Sequence, residues 1–125
     1  MNMRVLLVDD EEELVSTLSE RLSYRGLQAD WACSAKDALS MTDQHTYDIA
    51  VLDVKMPETD GFKLKRQIQK KNPDMKFIFM TGHGSDNYYR IGSAETGEEF
   101  YLVKPVNIDV LIEKLNEVLQ KSGDV

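Results

Sequence analysis

Five side chains of this sequence combine reactive types with comparable positions. Asp9 and Asp10 follow the run 4–8, Asp53 follows 48–52, Thr81 follows 77–80 and Lys104 follows 100–103. Each run is short, apolar and rich in β-branched or aromatic residues, as a strand covered on both faces should be. In an open parallel sheet the reactive edge lies beyond the carboxyl ends of the strands, where strand order reverses. Three carboxylates, a hydroxyl and an ammonium therefore share one small crevice. Carboxylates crowded in this way repel one another. A hard divalent cation with oxygen ligands relieves them, and Mg²⁺ is the usual one beside phosphate. Lys104 then adds a second positive charge for an anion held against that metal.

Taken singly, each residue has an ordinary reading. The acidic run from Asp9 to Glu13 suits a helix N-terminus, where the dipole favours negative charge. Asp53 and Thr81-Gly82 suit turns, and Lys104 suits a surface ion pair. The joint pattern decides between these readings and a site, because four separate strand ends deliver reactive groups to one edge.

The elements that must position these residues alternate in kind. Runs 4–8, 27–32, 48–52, 77–80 and 100–103 read as five strands. Between them apolar residues recur at helical spacing, as at Leu14, Leu18 and Leu22, at Leu64 and Ile68, and from Ile108 through Leu111, Ile112 and Leu115 to Val118 and Leu119. Ser34, Asp60 and Asn107 stand where helices begin, and Gly26 where one ends. The order is (βα)5. Right-handed crossovers turn that order into an α/β fold, a doubly wound parallel five-stranded sheet with helices on both faces. The fourth helical segment, between Gly84 and Gly97, contains Gly92 and rests its apolar face on Tyr88, Ile91 and Ala94, which predicts a short or mobile helix.

The 125 residues suit one domain over 1–121, with 122–125 a frayed tail or the stub of a linker. Fifteen Lys and Arg against twenty-two Asp and Glu leave a net charge of −7, which repels phosphate backbones and anionic headgroups. Direct nucleic-acid binding is therefore not expected. Neither is membrane insertion, since the apolar run after Arg4 ends at Val8 against five acids. Cys33 is the single cysteine, which forbids an intrachain disulfide and leaves the cytoplasm as the expected compartment.

The stretches Val5-Leu6-Leu7-Val8-Asp9-Asp10-Glu11, Asp53-Val54-Lys55-Met56-Pro57-Glu58-Thr59-Asp60-Gly61, Thr81-Gly82 and Lys104-Pro105 occur in an order that resembles the receiver domain of two-component response regulators. The resemblance implies a flavodoxin-like sheet of order 2-1-3-4-5. It also implies that Asp53 is a phosphoacceptor taking a phosphoryl group from a phosphohistidine. Mg²⁺ would then be held by Asp10, Asp53 and the Lys55 carbonyl, with Asp9 acting through water. Thr81 and Lys104 would bind the phosphoryl oxygens, Tyr101 would change rotamer with Thr81, and a cis peptide at Pro105 would aim Lys104 inward. Lys55 and His83 occupy the places that flank the path of the hydrolytic water in the family. Both are bulky and neither is a carboxylate, which implies a long-lived aspartyl phosphate. The implied partners are a sensor histidine kinase or a histidine phosphotransfer protein, and a downstream protein or fused effector domain. A homodimer through the fourth helix, last strand and last helix is a further implied arrangement.

Thr81 and Lys104 stand one residue further apart than in the commonest receivers, and Glu98 replaces the small residue that usually follows Gly97. A phosphatase resembling the haloacid dehalogenase class would also use a strand-end Asp, Mg²⁺, a Thr and a Lys. It would want a second acid two places after Asp53, where Lys55 stands. A flavodoxin-like electron carrier would need a hydroxyl- and glycine-rich loop after the first strand, where acids stand instead. His45 reads as a surface residue, and Met56, Met75 and Met80 read as core filler.

Overall fold

The computed structural model describes residues 3–82 and 101–123. Strands Arg4–Val8 (β1), Gln28–Ala32 (β2), Ile49–Asp53 (β3), Lys76–Thr81 (β4) and Tyr101–Val103 (β5) form one parallel sheet in the order β2-β1-β3-β4-β5. The topology is the one implied by the sequence. Every residue of β3, the central strand, is buried, so its apolar run is continuous instead of alternating.

Side chains of successive strand residues point to opposite faces, and the two faces acquire separate cores. Leu6, Val8, Ala50, Leu52, Phe77 and Phe79 pack with Ala38 of helix Ala35–Gln44 (α2) and with Phe62, Leu64 and Ile68 of helix Gly61–Lys71 (α3). Val5, Leu7, Ile49, Val51, Ile78 and Met80 pack with Val15, Leu18 and Leu22 of helix Glu12–Tyr24 (α1). Leu111, Leu115 and Val118 of the C-terminal helix, Ile108–Gly123, join that second core. This helix runs past residue 121, where the sequence reading ends the domain. Met56 and Met75 lie in the first core and Met80 in the second, while His45 is exposed.

The punctuation is local chemistry. Ser34 Oγ accepts the Asp37 N–H at 3.1 Å, Asp60 Oδ1 accepts the Lys63 N–H at 2.9 Å, and Asn107 Oδ1 accepts the N–H groups of Asp109 and Val110 at 2.8 and 3.2 Å. Each short polar side chain thus satisfies donors that a helix start leaves unpaired. At the end of α1, Gly26 adopts φ +88°, and the N–H groups of Gly26 and Leu27 return to the carbonyls of Ser23 and Leu22. That left-handed stop requires a residue without a Cβ penalty. No described helix is long and apolar enough to cross a membrane. The segment between Gly84 and Gly97, with the predicted fourth helix, lies outside the described residues, as does His83.

Candidate functional site

Four adjacent strands deliver the reactive side chains. Asp53 is the last residue of β3, paired opposite Met80, and Thr81 is the last of β4, paired opposite Val103. Both still belong to the sheet, because backbone pairing runs one residue beyond each apolar run. Asp9 and Asp10 follow β1, and Lys104 follows β5. The crevice therefore opens at the carboxyl edge beside the β1/β3 boundary, where the strand order reverses.

One oxygen from each of Asp9, Asp10 and Asp53 lies within 4.8 Å of the others. Asp9 and Asp53 are buried and Asp10 is exposed. Lys104 Nζ enters this cluster at 2.7 Å from Asp9 Oδ2, 3.2 Å from Asp53 Oδ1 and 3.4 Å from Glu11 Oε1. Asp9 Oδ1 meanwhile accepts the Glu11 N–H at 2.9 Å and so anchors the entry to α1. Its Oδ2 is buried and meets the Lys104 ammonium.

These contacts leave more negative than positive charge in a sheltered place. Burial raises the pKa of Asp53 to about 6, the nearby Asp9 charge adds to the rise, and Lys104 opposes it. Burial likewise raises the Asp9 pKa in spite of the Lys104 contact and the Glu11 N–H. For Lys104, burial by itself would lower the pKa, but the contacts with Asp9 and Asp53 outweigh it and hold the ammonium charged. Hard oxygen donors and excess negative charge in a sheltered place fit a divalent cation of the Mg²⁺ kind.

The remaining site residues surround this cluster. Thr81 is buried, and its hydroxyl donates to the Gly82 carbonyl at 3.3 Å, while its own carbonyl accepts the Lys104 N–H at 2.8 Å. Tyr101 is buried, with its ring stacked 5.5 Å from Phe79, which in turn lies 4.8 Å from Phe62. An aromatic row thus links β5 to the first turn of α3. Lys55 is exposed on the loop after β3 and forms a single antiparallel bridge with Asp60. The Lys104–Pro105 peptide is cis.

Two contributors were not read from the sequence. Gly61 brings the start of α3 against the Asp53 backbone: a Cβ there would lie 2.6 Å from the Asp53 carbonyl oxygen. Its N–H donates to the Val54 carbonyl at 2.8 Å. Asp60-Gly61 was visible as a helix start, but this closeness between loop and strand was not. Glu11, which the sequence places in the acidic run and at the end of the stretch from Val5 to Glu11, reaches Lys104 across the crevice. Neither reading joined it to Lys104.

Comparison with known proteins follows this geometry. The family described as the response regulator receiver domain matches residues 5–116. The transcriptional regulatory protein GlrR of Escherichia coli K12 is 33% identical over 119 residues, covering 95% of this chain and 27% of that protein. Response regulator MprA of Mycobacterium bovis is 30% identical over 122 residues, covering 98% of this chain and 53% of that protein. The chain thus spans from about a quarter to about half of these relatives. Among solved structures, a CheY-like receiver domain protein from Methanospirillum hungatei superposes with a TM-score of 0.86 at 29% identity, covering 98% of both chains. NtrX from Brucella abortus superposes with a TM-score of 0.87 at 26% identity, covering 98% of this chain and 28% of that one.

Proposed function

This chain belongs to the response regulator receiver domain family, and from that premise we propose that Asp53 is its phosphoacceptor. An Asp53 carboxylate oxygen attacks the phosphorus of a phosphohistidine on a sensor histidine kinase or histidine phosphotransfer protein. The new P–O bond forms as the P–N bond breaks, and the departing imidazole takes up a proton. Such a transfer needs alignment and charge neutralisation more than covalent assistance. Lys104 supplies one positive charge to the phosphoryl oxygens, and the Thr81 hydroxyl supplies a donor after it leaves the Gly82 carbonyl. Asp10, Asp53 and the Lys55 carbonyl would hold Mg²⁺ directly and Asp9 through water, and the metal supplies the remaining charge compensation when bound. The domain is a signalling switch that catalyses its own phosphorylation and slow dephosphorylation, not an enzyme acting on a separate product.

The observation that carries this reading is the buried Asp53 carboxylate lying 3.2 Å from Lys104 within a cluster of acids at the carboxyl edge of the sheet. Support for a long-lived aspartyl phosphate comes from the types of Lys55 and His83. The phosphorylated form would draw Thr81 and Tyr101 toward the site and bias the last strand, the last helix and the segment before them. That face would serve a downstream protein, a fused effector domain or a second copy of the chain. The domain would occupy residues 1–121 and act in the cytoplasm.

The test is mass measurement after incubation with acetyl phosphate and Mg²⁺. One phosphoryl group should be added to the wild type and none to Asp53→Asn, and chelation should block the addition. Undiminished labelling of Asp53→Asn would remove the assignment.

A further inference from the structure

Glu11 departs from a local rule. It is the residue from which α1 starts, with extended backbone at φ −82° and ψ 93°, yet its side chain makes no capping hydrogen bond. Short acceptors such as Asp, Asn, Ser and Thr are preferred there because they fold back onto the first helical N–H groups. Glu11 extends the other way, placing Oε1 3.4 Å from the Nζ of Lys104, a residue 93 positions along the chain. Breaches of local preference concentrate where function outweighs stability.

The other acidic contacts of Lys104 are Asp9 and Asp53, which belong to the cluster read above as a metal site. Those carboxylates cannot serve an ammonium and a divalent cation equally, because the two cations repel in a crevice sheltered from water. Glu11 is the more exposed partner: 65% of its side chain is open to solvent, against 0% for Asp9 and 7% for Asp53. It offers the ammonium a charged acceptor on the solvent side. We propose that Glu11 is a positioning residue that holds Lys104 at the rim of the crevice when a divalent cation enters, and so eases metal binding. The inference rests on the metal reading of the acid cluster.

Glu11→Asp tests it well. The substitution keeps the charge, shortens the reach by one methylene and installs a better helix cap. Calorimetric titration with Mg²⁺ should show binding weakened about three- to tenfold in both Glu11→Asp and Glu11→Gln. The metal-free Glu11→Asp protein should melt at a higher temperature than wild type. In a Lys104→Gln background, Glu11→Asp should change the Mg²⁺ affinity by less than about twofold, since the group it positions is gone. Wild-type affinity in Glu11→Asp would overturn the proposal, because charge without reach would then suffice. An equal effect with and without Lys104 would also overturn it. If wild type itself does not bind Mg²⁺, the metal reading falls and this inference with it.

Discussion

Asp53 is placed where its charge is unwelcome until a cation arrives. Its pKa in the folded chain lies near 6, against an ordinary 3.8, chiefly because it is buried and secondarily because Asp9 is near. The folded state therefore binds more protons than the unfolded state between these values, and stability falls as pH rises through that window. For this one group the loss is on the order of 3 kcal/mol. Asp53→Asn removes the titration. Metal-free Asp53→Asn should thus melt several degrees above wild type at pH 7 and close to it at pH 4, and identical pH profiles would show that the burial is not felt. A second residue-scale prediction concerns persistence of the phosphoryl group. Lys55 and His83 should shield it, so the aspartyl phosphate of wild type should outlast that of Lys55→Asn/His83→Glu in a timed mass assay. Equal or faster loss from wild type would mean that neither side chain obstructs the water.

The start of α3 separates two jobs that adjacent residues perform. Asp60 caps the helix through the Lys63 N–H, whereas Gly61 lets the helix approach the Asp53 backbone. Asp60→Ala removes one capping bond and should cost about 1 kcal/mol in denaturant melts, with phosphorylation from acetyl phosphate nearly unchanged. Gly61→Ala forces a Cβ to within 2.6 Å of a backbone oxygen, so helix or strand end must shift. It should cost about 1–3 kcal/mol and also slow phosphorylation, because the shift moves the acceptor itself. A Gly61→Ala protein that is destabilised but phosphorylated at the wild-type rate would show that α3, not β3, gives way.

At the scale of the whole molecule the acid crevice ties the loop after β1 to the end of β3, so a cation bound there clamps two central strands. Binding to the folded state alone stabilises by about 2.7 kcal/mol when the ligand is at 100 times its Kd. The melting temperature of wild type should therefore climb with Mg²⁺ concentration. That dependence should largely disappear in Asp10→Ala, whose exposed side chain can be removed without opening either core. A metal-independent melting temperature in wild type would count against a divalent site.

The order of the described elements, the parallel sheet and the gathering of Asp9, Asp10, Asp53, Thr81 and Lys104 at one sheet edge are legible in the sequence. These are encoded locally: continuous apolar runs at 4–8 and 48–52, caps at Ser34, Asp60 and Asn107, a stop at Gly26, and reactive types beside strand ends. Strand boundaries shifted by a residue at Asp53 and Thr81, because hydrogen-bond pairing with the neighbouring strand, not side-chain polarity, decides where a strand ends. What only the tertiary structure decided is which charges meet. Glu11, Glu12 and Glu13 are alike in sequence, yet Glu11 alone of the three contacts Lys104 among the described residues. Nothing near Gly61 announces that Asp53 lies against it. Coulomb and steric contacts depend on distances of a few ångströms between segments far apart in the chain, and packing the helices onto the sheet is what sets those distances.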